Sequence, residues 1–288
     1  MPVLNFKDTI SSSPMIFTLG VAGDSGSGKT TFTQAIRQIF GEDLVSTITL
    51  DDYHRYDRGE RKRLGVTPLA PEANDLTRLE RDLISLKKGN TIRKPVYNHR
   101  TGQFDPPVLF APKKILILEG LHTFFTPVLR ELLDFKLFVD PERSVKHEWK
   151  IKRDMEVRGY QEGEVLDELA EREKDYQEYI APQRHYADAI ICISHSKYGE
   201  ELGKERNVYQ VALLQSKLRR AVEDIDLSID LLSLLSMSER NFLVEFQRQN
   251  IESRTWGALT FDGELNHVLI RKLEKNVERQ TGVHPIDI

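Results

Sequence analysis

The sequence predicts an α/β protein: a mostly parallel sheet flanked by helices, built around a phosphate-binding loop, with a small antiparallel extension at the carboxyl end. Three observations carry that expectation. Gly23-Asp24-Ser25-Gly26-Ser27-Gly28-Lys29-Thr30 fits the pattern G-x-x-x-x-G-K-[ST]. Apolar runs alternate with helical periods through roughly the first two thirds of the chain, the pattern of a parallel sheet with helices on both faces. After about Ser194, strand-like segments follow one another without long helices between them.

Each element has its local reason. The apolar run Ile16 to Ala22 reads as a buried strand leading into the glycine-rich loop, and a helix follows from Thr31 to about Phe40. Ser46 to Leu50 is a short β-branched run that ends at Asp51-Asp52. Leu76 to Lys88 has apolar residues at helical spacing and stops at Gly89. Lys113 to Gly120 reads as a buried strand with Glu119 near its carboxyl end, and Phe135 to Asp140 as another. Ser144 to Arg158 reads as a long charged helix and Ala189 to Ile193 as a last parallel strand. In such sheets ligands bind at the strand carboxyl ends, so all three acidic strand termini are expected in one crevice. The expected divisions are a lead-in over 1–15, a core over 16–200, and an extension over 201–288. In the extension the strand-like runs are Asn207 to Gln215, Asp226 to Leu232, Asn241 to Gln247 and Thr255 to Phe261, with a final helix from Glu264 to about Arg279.

Composition narrows the function classes. With 288 residues the chain can bury a large core, and a net charge of −4 gives no basic field for nucleic acid. No apolar stretch approaches the roughly 18 residues of a membrane span and no signal peptide shows, so no membrane partner is expected. Cys192 is the single cysteine, which excludes an intrachain disulfide and fits a reducing, cytoplasmic setting. It lies in the apolar run Ala189 to Ile193, where a small buried residue is expected.

The loop specifies a nucleoside triphosphate. Its glycines let successive N–H groups point inward as a nest for phosphate oxygens, and the helix start adds its positive dipole end. Gly23, Asp24, Ser25, Gly26, Ser27, Gly28, Lys29, Thr30 and Thr31 are the candidate nucleotide contacts. Lys29 would bridge the β- and γ-phosphates and the Thr30 hydroxyl would ligate Mg²⁺. No Asn-Lys-x-Asp guanine-reading sequence is visible.

The segment Leu50 to Arg58 suggests the reaction. A small-molecule kinase needs a carboxylate to take the proton of the attacking hydroxyl and cations to hold an anionic acceptor. Asp51 or Asp52 could serve as the first, His54 and Arg58 as the second. Val96-Tyr97-Asn98-His99 would form a wall for the acceptor, and Glu119 would organise Mg²⁺ with the loop. Lys150, Arg153, Asp154 and Arg158 share one helix face at i, i+3, i+4 and i+8. Three cations with one acid fit a face that grips phosphates better than a solvated one.

Taken in order, these stretches resemble a known family. Leu50 to His54, Lys94 to His99, Thr101-Gly102 with Asp105-Pro106-Pro107, Ile117 to His122, Trp149 to Met155 and Tyr186 to Ala189 resemble the phosphoribulokinases of plant and cyanobacterial type, within the uridine-kinase-like group of P-loop kinases. The likeness covers about residues 16 to 195, and Phe261 to Glu264 resembles the family's carboxyl-terminal region more weakly. It implies transfer of the γ-phosphoryl of ATP to ribulose 5-phosphate, with Asp51 as base and Glu119 as its Mg²⁺-organising partner. It implies that His54, Arg58, Tyr97, His99 and Arg158 bind the sugar phosphate, and that Lys150, Arg153 and Asp154 belong to a lid helix that acts with Lys29 on the transferring group.

Two departures from the plant type stand out. Its redox-sensitive cysteines are replaced by Ser27 and Thr49, which excludes thiol–disulfide switching of the light-regulated kind. The resemblance also leaves out much of the plant-type carboxyl-terminal half, so the chain resembles a plant-type catalytic core on a shorter frame, as in the archaeal relatives. Two other readings compete: a kinase of the same fold for uridine, glycerate or another sugar phosphate, and a nucleotide-binding regulator without turnover. A nucleoside acceptor would leave His54, Arg58 and Arg158 without an anion, and intact Lys29, Thr30, Asp51 and Glu119 speak against the regulator. Strands in the extension also have edges to cover, so a homodimer joined at the extension or the adjacent sheet edge is expected.

Overall fold

Ile115 to Leu118 shows why the central strands are unbroken apolar runs. Ile115 and Ile117 pack into one hydrophobic layer, Leu116 and Leu118 into the other, so both faces of the strand are buried. The computed structural model describes residues 10–198, 208–216, 242–251 and 254–263, with 271, 274, 275, 278 and 279; the side chains of 157, 158 and 242 lie outside that description.

In chain order the elements are β1 (Phe17–Gly23), α1 (Lys29–Phe40), β2 (Val45–Thr49), α2 (Arg58–Leu64), α3 (Leu76–Lys87), β3 (Ile92–Asn98), β4 (Gln103–Phe110), β5 (Ile115–Gly120), α4 (Pro127–Leu132), β6 (Phe135–Pro141), α5 (Arg143–Arg158), α6 (Glu162–Asp175), β7 (Ala189–His195), β8 (Tyr209–Ser216), β9 (Phe242–Ile251) and β10 (Arg254–Gly263). Eight strands form one sheet in the order β2-β5-β1-β6-β7-β8-β10-β9. The first five are parallel, and β8, β10 and β9 continue the sheet antiparallel from β7. The chain leaves β1 towards one edge and later returns to its other side. The carboxyl end of β1, where the glycine-rich loop begins, is therefore the topological switch point.

The extension thus extends the core's own sheet. β8 pairs with β7 from Ala189↔Gln215 to His195↔Tyr209. The expected strand over Asp226 to Leu232 lies outside the described residues, as does most of the final helix. Arg271, Glu274, Lys275, Glu278 and Arg279 are helical.

Helices α4 and α6 were not expected, nor were two elements beside the crevice. The segment read as an acceptor wall is a separate antiparallel hairpin, β3 with β4, whose register shifts between Lys94 and Val96. Pro95, Pro106 and Pro107 lack ladder donors, so proline there reads as loop, yet a bulged two-stranded edge accommodates it. Helix α2 starts from a reciprocal capping box in which Asp57 accepts from the Glu60 N–H and Glu60 from the Asp57 N–H. No helix among the described residues is long and apolar enough to cross a membrane.

Candidate active site

The loop between β1 and α1 adopts the backbone its glycines allow. Gly26 and Gly28 have φ of 81° and 91°. A Cβ on Gly26 would meet Lys150 Cβ at 3.2 Å, so helix α5 lies directly on the loop. No side chain caps α1, which leaves its first N–H groups for an anion. Lys29 is buried and donates to the Asp24 carbonyl at 2.6 Å. Burial draws its pKa down, against the pull of Glu119, Asp24 and Asp51. Ser25, Gly26, Gly28, Lys29, Thr30 and Thr31 all line one crevice of about 1480 Å³.

Asp24 turns the other way. Its carboxylate meets Lys146 of α5 at 2.9 Å and Arg172 of α6 at 3.5 Å. Burial works to raise its pKa, but Arg172, Lys146 and Lys29 hold it below the usual carboxylate range. It clasps helices α5 and α6 to the loop. Ser27 is fully buried, and its hydroxyl has no partner among the described residues.

The neighbouring acids, Asp51 and Asp52, both line the crevice and differ in what engages them. Both lie in the 3₁₀ turn Leu50–Tyr53 that follows β2. Asp52 is buried, paired with Lys94, and accepts from the Tyr97 N–H at 2.8 Å; it anchors the β3–β4 hairpin. Asp51 lines the crevice, with His99 Nε2 at 3.2 Å and His54 Nε2 at 3.8 Å. Burial would raise its pKa, but the His99 hydrogen bond and the charges of His54, His99 and Lys29 outweigh it. The carboxyl stays well below its ordinary range.

Glu119, near the end of β5, accepts from the Thr30 hydroxyl at 2.6 Å and from Thr33 at 2.7 Å. Asp140 corrects the expectation that every acidic strand terminus enters the crevice. It is paired with Arg184 at 2.9 Å and lines a second, smaller cavity with Cys192. Strand alternation explains this: Val139 packs into the layer beneath α1, so Asp140, like Phe138, faces the other side. Cys192 is half-buried, and burial pushes its thiol pKa up.

Beyond Asp51 the crevice wall is cationic and aromatic. Tyr97 sets both histidines, edge to face with His54 and with His99 at 5.1 Å each. His54 Nδ1 pairs with Asn74 Oδ1 at 2.8 Å, and burial lowers the pKa of His54. The Arg58 guanidinium donates to the His99 carbonyl. Arg61, which sequence reading missed, lines the crevice and donates to the Tyr97 hydroxyl at 2.9 Å. The capping-box pattern Asp57-x-x-Glu60 was the available signal, since it starts a helix on which Arg58 and Arg61 are neighbours.

The lid stripe divides. Arg153 lines the crevice and reaches Ser25 Oγ at 3.3 Å. Lys150 and Asp154 do not line it: they form a buried pair at 2.7 Å, and Lys150 also meets Glu168 of α6 at 3.2 Å. The stripe carries internal ion pairs after all, but buried ones, because α6 supplies a second acid that a one-helix projection cannot contain. The Arg158 side chain lies outside the described residues. Lys146 and Arg172, also missed from sequence, complete the basic surround of the loop.

Thr30, Asp51 and Glu119 offer hard oxygen donors on one crevice wall. Among the described residues no cluster of three or more His, Cys, Asp or Glu side chains could hold a metal alone. That combination fits Mg²⁺, which takes one or two carboxylates and fills its shell with phosphate oxygens and water.

Comparisons with known proteins give the family. The family model described as "Phosphoribulokinase / Uridine kinase family" matches residues 18–197. The chain is 42% identical over 202 residues to the phosphoribulokinase of Synechocystis sp., covering 70% of this chain and 60% of that one. It is 39% identical over 218 residues to the chloroplastic phosphoribulokinase of Mesembryanthemum crystallinum, covering 69% and 54%. The uridine kinase of Latilactobacillus sakei is 33% identical over 176 residues, covering 60% and 83%. The chain thus spans only 60% and 54% of the two phosphoribulokinases. In fold it is like the solved phosphoribulokinase from Rhodobacter spheroides, with a TM-score of 0.58, 23% identity, and 93% of this chain and 95% of the other covered. With the family model matching more than half of its residues, the chain belongs to the phosphoribulokinase/uridine kinase family.

Proposed function

We propose that this protein is a phosphoribulokinase, transferring the γ-phosphoryl of ATP to ribulose 5-phosphate to give ADP and ribulose 1,5-bisphosphate. The observation that carries the reading is the setting of Asp51. It stands in one crevice with the phosphate loop and with a wall of two arginines, Arg58 and Arg61, and two histidines, suited to an anionic acceptor. Relatives named phosphoribulokinase at 42% and 39% identity support the same acceptor.

Asp51, ionised throughout the neutral range, accepts the proton of the attacking hydroxyl. His54 and His99 orient its two oxygens, and Arg58, Arg61 and Arg158 hold the acceptor phosphate. Lys29 and Arg153 lie where negative charge grows on the transferring group, and Lys150 with Asp154 sets the helix that carries Arg153. Thr30, Glu119 and Asp51 would hold Mg²⁺, which when bound neutralises charge on the β- and γ-phosphate oxygens. The single cysteine fits a cytoplasmic enzyme. The chain acts as a homodimer, with β9, the end strand of the eight-stranded sheet, as the edge available for pairing with a second copy.

An ADP-release assay over ribulose 5-phosphate, other sugar phosphates, glycerate and uridine tests this. Turnover selective for ribulose 5-phosphate is expected. Selective turnover of uridine or glycerate would shift the reading to another acceptor of the same fold, and none with any acceptor would favour a regulator.

A further inference from the structure

The helix that carries Arg153 over the phosphate loop brings a second side chain with it. Trp149 lies four residues earlier on α5, and so on the same face. Its indole edge stands 3.3 Å from where a Cβ on Gly28 would be, and it lines the crevice beside Gly28 and Thr31. The face that reaches the phosphates thus continues into an aromatic plane next to the start of α1.

That plane is fixed from behind. The Trp149 Nε1–H donates to the Tyr209 hydroxyl at 2.8 Å, and the rings meet edge to face at 5.3 Å and 84°. Tyr209 is the first residue of β8, in the carboxyl-terminal extension. His195, at the end of β7, lies against Tyr209 at 5.9 Å with its ring tilted by 35°. An indole that served only packing would be enclosed, as Trp256 is, 3% exposed within the main core. Trp149 is instead half-buried and borders the crevice. Of the other aromatic side chains there, His54 and His99 each meet Tyr97 edge to face beside Asp51, and Tyr160 follows the opposite end of α5.

We propose that Trp149, held by Tyr209, is the platform on which the purine base of the nucleotide stacks, so that the carboxyl-terminal extension completes the nucleotide site. This rests on the crevice taking ATP. With the γ-phosphate directed at Asp51, the base leaves the loop on the side of Gly28 and Thr31. A base stacked on a ring that already has its N–H satisfied needs no further polar group from it.

The test uses the full chain without acceptor, titrated by calorimetry and tryptophan fluorescence with ATP and with inorganic tripolyphosphate. Trp149→Ala should weaken ATP roughly ten-fold or more, the scale of one aromatic–base stack, and leave tripolyphosphate within about two-fold. Tyr209→Phe removes the hydroxyl that receives the indole N–H and should weaken ATP a few-fold, again sparing tripolyphosphate. The chain has two tryptophans. ATP should therefore quench the unaltered protein but not Trp149→Phe, where only Trp256 emits, and tripolyphosphate should quench neither.

Equal weakening of both ligands, or of neither, would make Trp149 a packing residue and overturn the proposal. If Trp149→Ala does not fold, the quenching comparison decides, and an ATP signal that persists in Trp149→Phe overturns it. Failure of the unaltered protein to bind either ligand would instead remove the nucleotide reading beneath it.

Discussion

The imidazole of His99 holds the Asp51 carboxylate at 3.2 Å, across 48 residues of chain and from a different sheet. The β3–β4 hairpin that bears His99 is moored by Asp52, the neighbour of Asp51, through Lys94 and the Tyr97 N–H. Two adjacent acids therefore divide the labour. Both border the crevice, but Asp51 is the more open to it, and Asp52 fixes the wall that orients its neighbour.

Arg58 packs its backbone and side chain against Gly102 and the His99 carbonyl, so it belongs to the same wall. Arg58→Ala should raise KM for ribulose 5-phosphate about 10–100-fold, the loss of a charge-assisted hydrogen bond of about 1.5–3 kcal/mol. KM for ATP should hardly move. Steady-state kinetics with each substrate varied would decide, and equal effects on both would put Arg58 on the nucleotide.

Asp24 offers a test of the lid clasp. Asp24→Asn leaves Lys146 and Arg172 without their shared buried carboxylate, and losing one member of a buried ion pair costs about 3 kcal/mol. Urea unfolding should show that loss. A midpoint unchanged from the unaltered protein would mean that Glu168 satisfies Arg172, and the Tyr176 ring Lys146, without Asp24.

His122 is 1% exposed, and its pKa is pushed down to about 4, chiefly by burial and then by the charge of His54. The folded state keeps it neutral, whereas an unfolded chain protonates near 6.5. The unfolded state thus binds more protons between about pH 6.5 and 4. Stability present above that window is lost as pH falls through it, by about 3 kcal/mol when complete. Urea midpoints at pH 7 and 4.5 should therefore converge in His122→Gln relative to the unaltered protein. The same pH dependence in both would contradict this.

The proposed dimer has its test in the sheet edge. The extension pairs with the core through β7 and β8, so β9 ends the sheet with Phe246 64% exposed. Light scattering at micromolar concentration should return about twice the chain mass. A mass near 33.3 kDa would contradict the dimer.

How much was legible in the sequence follows from how local each feature is. The glycine-rich loop, the run Ile115 to Leu118 and the strand-end acids Asp51 and Glu119 carry their signal within a few residues. The alternatives Asp51 and Asp52 could not be separated, because both reach the crevice and only the distant Lys94 and Tyr97 reveal which is used up. Lys150 looked like a phosphate contact until Glu168, on another helix, claimed it. Asp140 shares the strand-end position of Glu119, yet Arg184 on the opposite layer takes it. The hairpin was hidden by its prolines, and Arg61 by a short helix whose only local mark is its cap.

The most direct test of the account is the turnover of Asp51→Asn with ATP and ribulose 5-phosphate, measured beside its ATP affinity. Loss of a general base predicts a kcat lower by about 10²–10⁴-fold with ATP binding essentially unchanged. Near-normal turnover in this variant would contradict the assignment of Asp51 and return the base to another acid of the crevice.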